Sequence, residues 1–206
     1  MRNSESYVWA GQMKNLRPVL RRWTELMSKT AIEWAPDDCA WWYNERPAVG
    51  LLAAACWLEN GMALEEYGDN KTSKGNPYAG RLDLFLSRNG IDYQVEAKHC
   101  WQHLTASTPK LRKQLLVVLN RAVDDVAKIP PCDSRPVGVT FAVPYISSKH
   151  APTTVVPALQ RWQAMLDSLN IDLLAWSFPP VGWKMVYEGY VYPGVALVGK
   201  SAKYAA

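Results

Sequence analysis

Long hydrophobic runs, close cysteine pairs, internal repeats and low-complexity segments are all missing from this 206-residue chain. Its longest strongly apolar run, residues 50–58, falls far short of the roughly 20 apolar residues that cross a bilayer. Residues 1–12 are polar and hold no apolar stretch of the kind that marks a secretory signal. Cys39, Cys56, Cys100 and Cys132 are scattered, without the spacing of a disulfide framework or a zinc ribbon. No helix-turn-helix or zinc finger can be read, so sequence-specific base readout is not expected. Together these absences predict a cytoplasmic protein with no membrane partner, and they leave a homodimer open.

Hydrophobic residues make up 49% of the sequence and charged ones 20%, enough to build a real core under a soluble surface. Cys56 sits in the apolar run and reads as a small core residue. The net charge of +4 permits a polyanionic partner without establishing one. Ten tryptophans and ten tyrosines are many. Their ordinary use is in a core rich in large side chains, and the sharper alternative is that a few stack on unpaired bases.

Residues 12–29 place Leu16, Val19, Leu20, Trp23 and Met27 at helical spacing, with Pro18 early enough to be tolerated. Asn44 is a candidate N-cap for a second helix through Leu51, Leu52, Ala55 and Leu58, stopped at Gly61. Residues 62–67 read as a short strand and residues 68–80, with their glycines and Pro77, as a loop. Residues 82–88 and 91–98 alternate around Asn89-Gly90, which predicts a hairpin closed by a two-residue turn. Such a turn sets Arg88 against Ile91 and Ser87 against Asp92, and puts Leu82, Leu84, Leu86, Tyr93, Val95 and Ala97 on one apolar face.

Thr108 and Pro109 open a long helix whose stripe runs from Leu111 to Ile129. A buried strand over 137–143, a helix over 157–169 and a strand over 171–176 predict a parallel pair with a right-handed crossover. Residues 183–198 read as a final hairpin around Glu188-Gly189. The fold class is α/β, a mixed central sheet flanked by helices.

The hairpin register places Asp83 opposite Glu96 on the polar face. Opposed side chains on paired strands have Cβ atoms about 5 Å apart, so two like charges there destabilise the sheet unless something balances them. A hard divalent cation is such a partner, since magnesium takes one or two carboxylates and keeps several waters. Lys98 lies on the same face and can steady charge developing on a phosphate. The ordinary alternative is a solvated polar patch with a surface ion pair. That suffices for any one of the three residues, but does not explain all three in register at one end of a hairpin.

The run Gly80-Arg81-Leu82-Asp83, followed after twelve residues by Glu96-Ala97-Lys98, resembles the PD-(D/E)XK nuclease signature, with Leu82 where that signature has its proline. The superfamily includes restriction endonucleases, archaeal Holliday-junction resolvases and RecB-like nuclease domains. The resemblance implies a restriction-endonuclease-like α-β-β-β-α-β core and magnesium or manganese held by Asp83, Glu96 and the carbonyl of Ala97. It also implies Lys98 as the catalytic lysine and a nucleic acid, DNA first, as substrate. On that basis residues 1–43 read as an N-terminal helical extension, 44–176 as the nuclease core and 177–206 as a C-terminal aromatic-rich hairpin or tail.

The family adds a glutamate from the preceding helix. Glu45 and Glu59 are the candidates, about 21 Å apart along a helix axis, and Glu45 at the helix start resembles the resolvase arrangement. An acid in the first turn also simply complements the helix dipole. Gln114 falls where related nucleases often carry a site residue, although a solvated helix face explains it better. Lys71, Lys74 and Arg81 on one side, and Lys110, Arg112 and Lys113 on the other, bracket the acids and suit phosphate contacts. Each cluster is also an ordinary soluble surface. A zinc site from His99, Cys100 and His103 lacks a recognised ligand spacing, and a histidine touching phosphate or capping a loop fits better. The competing functional class is a non-catalytic nucleic-acid-binding or scaffold subunit that keeps the same fold.

Overall fold

A computed structural model describes residues 5–73, 76–150 and 152–204, without the side chains of residues 69–70, 72–77 and 152–153. The strands are β1 (Ser6–Trp9), β2 (Met62–Ser73), β3 (Asn76–Arg88), β4 (Ile91–His103), β5 (Arg135–Ser147), β6 (Leu173–Ser177), β7 (Val186–Tyr187), β8 (Tyr190–Val191) and β9 (Val195–Ser201). The α-helices are α1 (Arg17–Trp34), α2 (Glu45–Leu58), α3 (Thr108–Val126) and α4 (Pro152–Asp167). Among the described residues nine strands form one mixed sheet, seven of them in the order β1-β6-β9-β5-β4-β3-β2, with β8 paired to the end of β5 and β7 to β8. Only the β4–β5 junction is parallel, and α3 makes the crossover between its two strands.

Helices cover both faces. Val19, Leu20, Trp23 and Met27 of α1 and Leu52 and Cys56 of α2 bury against Leu84, Leu86, Tyr93, Val95 and Ala97 of the hairpin. On the opposite face, Leu115 and Leu119 of α3 and Trp162 and Leu166 of α4 close over Ala142, Trp176 and Val198. Trp23, Trp41, Trp162 and Trp176 are fully buried, which accounts for four of the tryptophans by packing alone.

Several elements differ from the sequence reading. Residues 68–73 and 76–80 of the stretch read as a loop are strand: β2 and β3 run on as a paired ribbon to Ser73 and Asn76, because glycine and proline near a sheet edge weaken a ladder without forbidding it. The helix α2 does start at Glu45, with the Asn44 side chain accepting from the Arg46 N–H at 3.1 Å. At its other end Asn60, at φ +59°, makes the left-handed exit. Gly61 is small for another reason, since a Cβ there would lie 2.5 Å from the Cys56 Sγ and 2.7 Å from the Ser87 carbonyl.

The predicted parallel pairing of the strands near 137–143 and 171–176 is also corrected. Both β5 and β6 pair antiparallel with β9, which lies between them. The predicted final hairpin shrinks to β7 and β8 around Glu188-Gly189, and the strand Val195–Ser201, buried over its first five residues, goes to the sheet interior instead. The strand β1 enters the same sheet beside β6, so segments 1–43, 44–176 and 177–206 all contribute to it.

Candidate active site

Asn89 at φ +52° and Gly90 at φ +71° close the β3–β4 hairpin in the primed-turn geometry that matches strand twist. Arg88 pins that end by donating to the carbonyls of Glu59 at 3.1 Å and Asn15 at 2.8 Å. From there the register runs Arg88↔Ile91, Ser87↔Asp92, Leu86↔Tyr93, Phe85↔Gln94 and Leu84↔Val95, as the alternation predicts. The ladder stops at the next position, where Asp83 and Glu96 stand. Beyond it β3 pairs only with β2, and β4 continues along β5 as far as His103↔Tyr145. The two strands therefore fork, and the acids stand at the crotch.

Asp83 bridges the start of the fork with its side chain, Oδ2 accepting the Ala97 N–H at 2.7 Å. The adjacent rung on β2 is broken as well. Glu65 pairs with Leu84 and Tyr67 with Leu82, but Glu66 between them sits at φ +49°, a conformation that a residue other than glycine adopts at a cost of about 1 kcal/mol or more. The glutamate side chain turns to Arg81, a pair in direct contact, and to Arg46 at 3.2 Å.

Glu96 is almost completely buried and is held by the Lys71 ammonium. Burial, and after it the Asp83 charge, raise its carboxyl pKa, while Lys71 and Lys98 pull the other way. Lys98 lies 3.7 Å from the other Glu96 oxygen and 3.1 Å from Asp125 Oδ2. Burial alone would lower the Lys98 pKa, but Asp125, Glu96 and Asp83 outweigh it and the pKa is raised. Asp125 is drawn low, against burial, by Lys128 at 2.7 Å and by Lys98. Gly138, beside Glu96 on β5, lets α3 bring Asp125 here, since a Cβ would lie 2.4 Å from the Val123 nitrogen.

On the α2 side of the fork a cavity of about 340 Å³ is lined by Glu45, Arg46, Val49, Glu65, Glu66, Arg81 and Asp83. Glu45 thus shares a cavity with Asp83. Glu59 lies at the far end of α2, paired with Arg22 at 3.0 Å. Hollows of about 390 and 550 Å³ lie along β1, but their carboxylates and lysine are solvent-exposed. Among the described residues no three His, Cys, Asp or Glu side chains converge on one metal position.

The outlying candidates separate. Lys71 turns inward to Glu96, Arg81 stays at the surface on Glu66, and Lys74 lies outside the described residues. Lys110, Arg112 and Lys113 are exposed in the first turns of α3, roughly 20 Å along the helix from Asp125. Gln114 donates to the Trp101 carbonyl at 2.9 Å and accepts from Gln102 at 3.2 Å, so it braces α3 against β4.

His99 and Cys100 leave opposite faces of β4: Cys100 enters the α3–α4 core and His99 packs at a tilt against Trp101 with ring centroids 4.4 Å apart. Burial lowers the His99 pKa to about 4, and its ring nitrogens have no partner among the described residues. His103 and Thr105 share a 2.6 Å hydrogen bond in the loop that follows β4.

Sequence reasoning missed Asp125, Lys128, Glu65 and Glu66. One signal was present: two consecutive acids, Asp124 and Asp125, end a helix whose dipole disfavours negative charge there. No helix among the described residues is long and apolar enough to cross a membrane. Compared with protein-family models, curated proteins and solved structures, the chain matches none of them.

Proposed function

We propose that the chain is a nuclease of the PD-(D/E)XK type that hydrolyses phosphodiester bonds, in DNA by preference. The observation that carries the reading is the fork. The β3–β4 ladder ends where Asp83 and Glu96 face each other, with Lys98 one step further on the same strand. The order α2-β2-β3-β4-α3-β5 also follows the α-β-β-β-α-β core of that superfamily.

The donor set fits a hard cation. It offers two carboxylates and a backbone carbonyl, and an ammonium already stands against Glu96 where positive charge is wanted. Asp83, Glu96 and the Ala97 carbonyl would hold magnesium or manganese. Such an ion, when bound, supplies Lewis-acid polarisation of a phosphoryl oxygen and a more acidic water.

The remaining work falls to the chain. Lys98 stands beside Glu96 with its pKa raised by Asp125, Glu96 and Asp83 against the effect of burial, so these acids favour its ammonium form. Its role is to stabilise negative charge on the phosphate as that charge builds. Asp125 fixes it in place through the 3.1 Å contact. Glu45, which lines the same cavity as Asp83, would be the helix acid.

The test is incubation of purified protein with linear, circular, single-stranded and branched DNA in magnesium, manganese or EDTA. Cleavage should require the metal. Asp83→Ala should lose about a hundredfold or more in rate, Glu45→Gln should be strongly impaired, and Glu59→Gln should remain near wild type. Equal cleavage in EDTA, or a fully active Asp83→Ala, overturns the assignment. DNA binding without any cleavage would identify a non-catalytic binding subunit.

A further inference from the structure

We propose that Lys71 is an internal counter-ion for Glu96, a positioning residue that holds the carboxylate until a divalent cation takes its place. The inference rests on reading Asp83 and Glu96 as cation ligands and asks what occupies that position beforehand.

A carboxylate buried as deeply as Glu96, at 3% exposure, cannot stay ionised in an apolar interior without a partner. Lys98 is the more distant of its two cationic partners. Its closer contact is Asp125 at 3.1 Å, and it stands 3.7 Å from Glu96 Oε2. The other oxygen, Oε1, takes the Lys71 ammonium.

That contact is built by the fold. Lys71 lies on β2, paired with Tyr78 of β3, so its side chain must cross a whole strand to reach β4. It crosses at Gly80. A Cβ there would lie 2.7 Å from Lys71 Cγ and 2.8 Å from Cδ, where the stem now passes. An exposed surface lysine needs no such gap, and Lys71 is only 9% exposed.

Exchange follows from electrostatics. Magnesium binds carboxylate oxygens at about 2.1 Å, and an ammonium hydrogen-bonded to the same oxygen repels it. Cation binding therefore competes with the lysine. If the Lys71-bound state outweighs the open one by about ten to one, apparent cation affinity is lowered about tenfold. Removing the ammonium should restore that factor.

Isothermal titration of magnesium into the DNA-free protein tests this directly. Lys71→Met should bind magnesium about tenfold more tightly than wild type. Should that variant fold poorly, Gly80→Ala provides the second measurement, since its methyl displaces the lysine stem and should tighten binding in the same direction. Amine acylation followed by mass spectrometry gives a readout independent of affinity: Lys71 should be protected in EDTA and become reactive as magnesium saturates.

Wild type and both variants binding magnesium equally, with Lys71 reactivity unchanged, overturns the exchange and leaves the metal site standing. No magnesium or manganese binding by any of the three overturns both. Weaker binding by Lys71→Met also overturns it, and would make the lysine a support for the cation rather than its competitor.

Discussion

The two halves of the sheet are built to different rules. On the β5–β9–β6 side every residue of β6 is buried, the first five residues of β9 are buried, and the ladders run unbroken from Val137↔Ser201 to Ala142↔Ala196 and from Leu173↔Gly199 to Ser177↔Val195. On the β2–β3–β4 side two ladders break at neighbouring positions. The gap is filled by Asp83, Glu66 and Glu96 with Lys71 and Lys98 around them. Apolar burial explains most of the first half, where Thr140 and Ser177 are the buried polar exceptions on β5 and β6. It does not explain the second, where buried charge and a left-handed glutamate both oppose folding. Conflicts of that kind concentrate at functional sites, which is why the fork, and not the larger hollows along β1, is the place to look for chemistry.

The largest effect that would sharpen this contrast is on turnover. Lys98→Ala should lower the cleavage rate by roughly 10²- to 10³-fold, about 3–4 kcal/mol, with little change in DNA affinity, because its charge acts on the transition state. Single-turnover rates and binding in calcium separate the two. Normal turnover with weak binding would make Lys98 a phosphate anchor.

Next in size is a change in the other half. Leu197 of β9 is fully buried between Phe141 and Ala175. Leu197→Ala should remove about 3 kcal/mol of stability, within the range for a core leucine, while cleavage per folded molecule stays normal. Denaturant melts with activity corrected for folded fraction would check it. A loss of specific activity larger than the loss of folded protein would break the comparison.

What the sequence disclosed follows the same division. The hairpin register was legible because Asn89-Gly90 admits one kind of turn and an alternating pattern admits one phase. Asp83, Glu96 and Lys98 followed from it. Glu45 was favoured over Glu59 from its resolvase-like place at the helix start, and it is Glu45 that lines a cavity with Asp83. Asp125 reaches the site only through the crossover and the bare backbone of Gly138, a contact that local patterning does not carry. Lys71 was read as a surface cation because a lysine two strands from the acid gives no hint that Gly80 clears its path. The position of β9 was misread because β5, α4 and β6 look like a complete crossover unit until a later strand inserts between them.

The smallest expected effect is the most searching, because it asks whether Asp83 belongs to the half that serves folding or to the half that opposes it. Glu96 has its pKa raised by burial first, with the Asp83 charge contributing. A raised carboxyl pKa gives stability that is full below the unfolded value and lost as pH climbs through the folded one. Near neutrality the metal-free protein therefore carries a penalty. Asp83→Asn removes one source of it and keeps an oxygen able to accept the Ala97 N–H, now at 2.7 Å. Lys98 loses a small attraction at the same time, since Asp83 also helps to raise its pKa, so the two changes partly cancel. The variant in EDTA should match wild type at neutral pH or exceed it by less than about 1 kcal/mol, the size of an ordinary surface electrostatic term. The difference should close as pH falls and Glu96 takes up its proton in both proteins. Magnesium should stabilise the wild type by mass action and the variant hardly at all. Thermal melts of both proteins at two pH values, with EDTA and with magnesium, measure all of this. If Asp83→Asn is much less stable in EDTA, the Asp83 charge is there as a structural partner of a neighbouring cation such as Lys98 or Arg81, and the fork loses its claim to be an active site.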